Sequence, residues 1–110
     1  MSGRDDMHIG LVEKVICSAN WYKELPTPFF GPKNIDKGIV FSGHRHHHCL
    51  HQMCAMTGKA QHEVGGEVQG FLTNFNRFVD RKEAATIALE SNQIEKLTFS
   101  KKDLYSEDIY

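Results

Sequence analysis

Histidine is concentrated in one short segment of this 110-residue chain. Of its seven histidines, five fall within the eight positions from His44 to His51, in the stretch GHRHHHCLHQMC. Histidine changes its charge near neutral pH, ligates transition metals and donates hydrogen bonds, so such a segment predicts a functional site. Three kinds of chemistry are compatible with it: metal binding, general acid–base catalysis, and the binding of an anion or a nucleotide.

The metal interpretation depends on the spacing of the ligands. His47 and His51 stand four positions apart, which places both on one face of a helix, and Cys54 is a third candidate. A structural zinc site usually draws on two separated pairs of ligands, whereas these candidates share one segment, and the HExxH motif is absent. We therefore expect no metal and no cofactor; if a metal binds, these three residues are its expected ligands.

Acid–base catalysis requires two groups in opposite protonation roles. Nothing in the histidine segment assigns such roles, and the chain contains no HxT or HxS pair. We therefore expect a protein that is not an enzyme. The alternative is a zinc- or histidine-dependent hydrolase that acts on a nucleotide or a phosphodiester.

The anion-binding interpretation centres on Arg45. Gly43 ends a predicted strand, and Arg45 offers a forked donor to phosphate. A helix predicted from His46 to Thr57 points its first backbone amides toward the same place, which favours an anion there. His46 and His47 open that helix, so we predict that they bind the ligand together with Arg45.

A second group of candidates lies in the stretch QGFLTNFNRFVDRKEA, Gln69 to Ala84. Aromatic side chains alternate there with arginines, a composition typical of surfaces that stack a base and clamp a phosphate. The candidate ligand-binding residues of this stretch are Phe71, Phe75, Arg77, Phe78 and Asp80. Phe71 and Phe78 are equally compatible with an ordinary core, and Asp80 is explained as the N-cap of a helix.

The helices and strands that position these residues are predicted from the periodicity of the apolar residues and from the residues that break or cap such elements. Strand patterns occupy residues 14–22, 38–43 and 67–73, and the second is expected in the centre of the sheet. The prolines of residues 24–37 predict a loop or an irregular edge. A helix is expected from about 80 to 91, with a capping box from Asp80 and Glu83 and a left-handed C-cap at Asn92.

The predicted fold class is α+β, a small antiparallel sheet with two α-helices. We assign residues 13–110 to a single domain and expect residues 1–12 as a flexible N-terminus or a short strand. The C-terminal stretch LYSEDIY is expected either to dock onto this domain through Ile109 and Tyr110 or to be disordered.

Charge and cysteine content restrict the partners and the compartment. Thirteen Lys and Arg against fourteen Asp and Glu give a net charge of −1, which disfavours the basic stripe that holds a nucleic-acid polymer. No apolar run is long enough for a membrane span, and three cysteines do not suggest a disulfide framework. We expect a cytoplasmic protein with no nucleic-acid polymer and no membrane among its partners.

The motifs also carry a resemblance. GxRHHxC, QGFLTxxxRFVDRxEAxxIA, a following NQI and the closing LYSEDIY occur in this order, and together they resemble a group of small proteins common in phages and prophages. That group is similar to the Thoeris anti-defence sponges of phages, which bind cyclic ADP-ribose signals made by TIR-domain enzymes without cleaving them. The Pro-containing loop and the crowded histidines have no match in that family.

The resemblance implies a sheet followed by two helices, assembly into homodimers or higher oligomers, and ligand contacts from Arg45, Phe71, Arg77 and Asp80. The predicted function is therefore that of a phage anti-defence protein, found in the host cytoplasm, which sequesters a small-molecule cyclic nucleotide. A protein-binding inhibitor of a host defence enzyme is a further alternative.

Overall fold

The computed structural model describes residues 12–26 and 31–109. Its four strands are β1 (Val15–Tyr22), β2 (Ile39–Gly43), β3 (Glu67–Thr73) and β4 (Phe78–Asp80), and its α-helices are α1 (His46–Thr57), α2 (Arg81–Glu90) and α3 (Ser106–Ile109). A single 3-10 turn, Gln61–Glu63, lies between α1 and β3. The predicted α+β fold is confirmed. None of the helices in the two described ranges is long and apolar enough to cross a membrane.

The strands form one antiparallel sheet in the order β2-β1-β3-β4. The predicted central position of the second strand is wrong, because β2 lies at an edge and β1 and β3 occupy the centre. The apolar run of β2 does not require cover on both faces, since Phe41 is its buried residue and its other members are half-buried. β4 lies outside the three predicted strands, because a strand of three residues is too short to show a period in the sequence.

Both long helices pack on the same face of the sheet. Register places Phe41 opposite Asn20, and Phe71 opposite both Ser18 and Val79, so these side chains share one face. Beneath α1 lies an apolar cluster made by Tyr22, Leu25, Phe41, Cys49, Met53 and Val64. Beneath α2 lies a second cluster made by Val15, Phe71, Val79, Ala84, Ala85, Ala88 and Leu104.

Local chemistry explains the boundaries of α2. The Asp80 carboxylate accepts a hydrogen bond from the backbone N–H of Glu83 (2.8 Å), which confirms one half of the predicted capping box. The Glu83 carboxylate, which the other half requires, accepts from Arg77 instead. Alanines fill the buried side of the helix, and small side chains allow a close approach to the sheet. Asn92 has φ of 63°, which confirms the predicted left-handed residue at the end of the helix.

The C-terminal segment is docked onto the domain. Leu104 is fully buried in the cluster beneath α2, and its N–H donates to the carbonyl of Arg81 (2.9 Å). Ile109 packs against the same cluster, as one of the two expectations for this segment required. Tyr110 lies outside the described residues, as do residues 1–11 and the pair Phe29 and Phe30.

Substitution of Asp80 tests the N-cap of α2. Asp80→Ala removes the acceptor for the Glu83 amide, so the free energy of unfolding is expected to fall by about 1 kcal/mol in urea titrations. Asp80→Asn serves as the control, because asparagine caps helices about as well as aspartate. An equal loss in both variants would show that the carboxylate acts through something other than the cap.

Candidate functional site

The two long helices begin at the same place. Arg81, the first residue of α2, lies with its Nη2 3.3 Å from Nδ1 of His46, the first residue of α1. The short α3 begins there too, since Arg45 Nη1 donates to Ser106 Oγ (3.1 Å). We call this group the helix junction, and its members are Arg45, His46, Gln69, Arg81, Tyr105 and Ser106.

The chain reaches the junction from β2 through a tight turn. A Cβ at Gly43 would lie 3.3 Å from Cβ of His48, so glycine permits the first turn of α1 to lie close to the strand. Arg45 is extended and precedes the helix, and its carbonyl accepts from the N–H of His48 (3.0 Å). The His48 ring returns this bond through Nδ1, which accepts from the Arg45 N–H (3.3 Å). Arg45 is thereby held at the positive end of α1.

His46 is fixed in one tautomer by its two ring contacts. It is buried, and its Nε2 lies 2.8 Å from the carbonyl oxygen of Gly70. Because a carbonyl only accepts, Nε2 carries the hydrogen, and Nδ1 of the neutral ring accepts from Arg81. Burial lowers the pKa of His46; the Gly70 carbonyl opposes this shift and the Arg81 charge adds to it.

The position of Gly70, whose carbonyl bonds to His46, also requires a glycine, because the other face of the sheet leaves no room for a side chain there. A Cβ there would overlap the carbonyl oxygen of Val79 and would lie 2.8 Å from the ring of Phe78. The absence of a side chain therefore lets β4 lie against β3 directly before α2 begins.

Arg81 makes its contacts with neutral groups. Its Nη2 donates to Gln69 Oε1 (2.7 Å), its Nη1 donates to the Leu104 carbonyl (3.0 Å), and its guanidinium carbon lies 4.7 Å from the centre of the Tyr105 ring. No carboxylate of residues 12–26 or 31–109 forms an ion pair with it. Burial lowers the pKa of Arg81, and an arginine stays charged despite such a shift. Arg81 is thus a half-buried cation whose hydrogen-bond partners in the described ranges are all neutral groups.

A polar floor lies on the sheet beneath α1. Asn20 stands directly opposite Gln69, and its Nδ2 donates to the His46 carbonyl (3.2 Å) and to Tyr22 Oη (3.1 Å). Its Oδ1 is buried and accepts no hydrogen bond from the described residues. The Tyr22 hydroxyl donates to Glu67 (2.9 Å), so this carboxylate accepts from the polar floor.

The structure brings only part of the predicted ligand set to the junction. Arg45 and His46 belong to it. Phe71 is fully buried in the core, and its ring packs edge-on against His46 with 5.1 Å between ring centres. His47 is exposed on α1, and its ring centre lies 4.2 Å from that of His48. Phe71 therefore supports the junction from below, and His47 lies beside it at the surface.

Arg77 lies in a different environment. It forms ion pairs with Glu13 (2.8 Å) and with Glu83 (2.8 Å), and its hydrogen bond lowers the pKa of the Glu13 carboxyl. Two carboxylates therefore neutralise this arginine. Arg77 thereby connects the segment before β1 and the first turn of α2 to the turn between β3 and β4.

The remaining predicted residues have structural environments of their own. Phe75 is half-buried in the turn between β3 and β4. Phe78 is buried on the face of the sheet opposite the helices, where it packs edge-on against Trp21 with 5.8 Å between ring centres. Asp80 precedes Arg81 and uses its side chain to cap α2. The structure does not bring these three side chains together with Arg45 and His46.

The candidate metal ligands do not converge. The ring centres of His47 and His51 are 6.0 Å apart, and Cys54 is half-buried further along α1. Within the part of the chain that the structure describes, no three His, Cys, Asp or Glu side chains are arranged to hold a metal ion.

Sequence reasoning missed four members of the junction: Gln69, Arg81, Tyr105 and Ser106. The sequence did contain a signal for them: Gln69 and Arg81 lie in the motif QGFLTxxxRFVDR, and Tyr105 and Ser106 lie in LYSEDIY. The separate motifs meet at one point in the fold, and the residues of each motif that point to that place form the candidate site.

His46 makes the stability of the fold depend on pH. Its pKa is lowered in the folded state, so the unfolded chain binds the proton more readily, and stability falls as pH drops below about 6.5. Urea titrations between pH 7 and pH 5 are expected to show this fall and to show a smaller one for His46→Gln. The exposed His47→Gln is the control, and a pH dependence that His46→Gln leaves unchanged would contradict this origin.

Comparison with known proteins completes the description of the site. No curated protein and no solved structure matches the chain. A family model described as phage T4 y16D protein matches residues 14–110, which include every element of the fold and every residue of the helix junction. The expectation of a small phage protein family is thus confirmed, and the chain belongs to the phage T4 y16D protein family.

Proposed function

We propose that this phage protein binds a nucleotide at the helix junction and sequesters it without cleaving it. The ligand we propose is a cyclic nucleotide signal of the cyclic ADP-ribose type, which places the protein among anti-defence factors of the host cytoplasm. The observation that carries the proposal is the half-buried Arg81, whose hydrogen bonds go to neutral groups at the meeting point of two helix N-termini.

The first turns of the two long helices favour an anion at the junction, whereas the first turn of α3 contains Glu107 and Asp108. The first turn of α1 contains no acidic residue, and that of α2 contains Glu83, whose carboxylate accepts from Arg77. Asp103 and Glu107 act on Arg81 through space and not by ion-pair contact. The Arg81 guanidinium now donates to the neutral amide oxygen of Gln69. A phosphate in place of that oxygen would give a hydrogen bond between opposite charges, and arginine can bind a phosphate through two parallel N–H···O bonds.

The chemistry of the junction supports holding a ligand and not cleaving it. Both ring nitrogens of His46 are engaged, one with Gly70 and the other with Arg81, so the ring is not placed to remove a proton from a substrate. Burial raises the pKa of the nearby Cys49 thiol to about 11, which leaves it protonated and weakly nucleophilic at neutral pH. A histidine-dependent hydrolase would therefore need a general base other than His46.

The family supports the biological setting of the proposal. A phage protein that removes a defence signal needs tight, stoichiometric binding. A half-buried cation such as Arg81 can contribute to that binding and requires no catalytic group. The charge of −1 is compatible with a small phosphorylated ligand held by local arginines.

Binding to cyclic ADP-ribose tests the site. Arg81→Gln is expected to weaken the affinity about 10- to 100-fold in isothermal titration calorimetry, because a hydrogen bond to a charged group contributes roughly 1.5–3 kcal/mol. Arg45→Gln is expected to act in the same direction. Arg77→Gln is the matched control, since it removes the same charge from an arginine that already has two carboxylate partners.

The fate of the bound ligand separates sequestration from catalysis. Ligand released by heating the complex is expected to be intact by mass spectrometry. A hydrolysed product, or stoichiometric zinc that survives dialysis, would replace the proposal with the hydrolase. Failure of the wild-type protein to bind the signal would overturn the proposal itself.

Assembly is the second part of the proposal. The domain exposes Val12 (51%) and Ile16 (53%) beside a small core, and association would bury such side chains. Native mass spectrometry at micromolar concentration is expected to show a homodimer or a higher homo-oligomer. A monomer under these conditions would contradict the assembly and would leave ligand binding to be judged by calorimetry.

A further inference from the structure

An exposed aromatic ring lies next to the helix junction. Phe99 has 62% of its surface exposed, in the segment between α2 and α3. Its ring packs edge-on against Tyr105, with 6.4 Å between ring centres and an interplanar angle of 85°. The face of Tyr105 in turn carries the Arg81 guanidinium. The ring of Tyr105 therefore lies between the open surface of Phe99 and the Arg81 guanidinium.

The two aromatic residues are held in place by one carboxylate. Asp108 Oδ1 accepts from the N–H of Thr98 (2.9 Å), and its Oδ2 accepts from the N–H of Tyr105 (2.9 Å). The segment that carries Phe99 and the segment that carries Tyr105 are thereby clamped together. A ring that is fixed before binding loses little conformational freedom when a ligand stacks on it.

We propose that Phe99 and Tyr105 form the base-binding part of the nucleotide site, with the phosphate at Arg81. The inference rests on the proposed function and assigns the residues that hold the base of that nucleotide and the residue that holds its phosphate. The base stacks on the open surface of Phe99, and Tyr105 fixes the spacing between base and phosphate. Aromatic platforms beside arginines are a general means of binding nucleotides, because every base presents a π-face.

The other large apolar side chains exposed in the described ranges include a suitable control. Met56 is 75% exposed and lies ten residues along α1 from His46, which is about 15 Å from the start of that helix. It is thus comparable with Phe99 in exposure but lies away from the junction.

The experiment compares one ligand that has a base with one that has none. Calorimetry is done with cyclic ADP-ribose and with pyrophosphate on the wild-type protein, Phe99→Ala, Phe99→Trp and Met56→Ala. Phe99→Ala is expected to weaken cyclic ADP-ribose binding about 5- to 100-fold and to leave pyrophosphate binding unchanged. Phe99→Trp is expected to retain the nucleotide affinity, and Met56→Ala to change neither.

The outcomes distinguish this inference from the function on which it rests. If Phe99→Ala binds cyclic ADP-ribose as tightly as the wild type, the base platform is overturned and nucleotide binding stands. If it weakens pyrophosphate equally, Phe99 acts on the fold and the platform is again overturned. If the wild-type protein binds pyrophosphate but not the nucleotide, the ligand class is wrong; if it binds neither, the proposed function fails.

Discussion

The Arg81 guanidinium joins three parts of the chain that are distant in sequence. It contacts α1 through His46, β3 through Gln69, and the C-terminal segment through the Leu104 carbonyl and the Tyr105 ring. Its own backbone carbonyl accepts from Leu104 as well. Because the cap at Asp80 determines where α2 begins, it also determines where this cation lies. The Arg81 side chain therefore contributes both to the packing of the two helices on the sheet and to the docking of the C-terminal segment.

A polar boundary between two apolar clusters explains the layout of the sheet. Between the cluster beneath α1 and the cluster beneath α2 lie Asn20, Gln69 and His46, whose side chains or carbonyls form hydrogen bonds with neighbouring residues. Buried polar groups are tolerated when their hydrogen bonds are made, and among the described residues the exception is Asn20 Oδ1. Such a network favours a single arrangement of the two helices, because any shift leaves further groups without partners.

The sequence predicted the elements better than the site. Strand β1, both long helices, the Asp80 cap and the left-handed Asn92 follow from period and local chemistry, which act within a few residues. The choice between Arg77 and Arg81 as the ligand-binding arginine does not follow from such local signals. Arg77 stands between phenylalanines and resembles a ligand residue, yet Glu13, 64 positions away, neutralises it. Arg81 gains its importance from Tyr105, whose proximity no local pattern records.

The histidine segment shows the same limit within one helix. Of its members, His46 is buried, whereas His47 and His51 face outward on α1. Neighbouring positions on a helix point in different directions, so the His46 ring is buried and the His47 ring is exposed. The segment did indicate the correct region of the molecule, because the first turn of α1 is part of the junction. It restricted the choice to His46 and His47 but did not indicate which of these two rings is buried in the junction.

Gly70 connects the two faces of the sheet. Its carbonyl holds His46 on the helix side, and its missing side chain admits the Val79 backbone and the Phe78 ring on the other side. Substitution at position 70 of β3 is therefore constrained by β4, since any side chain there would push β4 away and would displace Asp80 and Arg81 with it. Mutational tolerance at this position reports on the geometry of the junction, although the obstruction lies on the opposite face of the sheet.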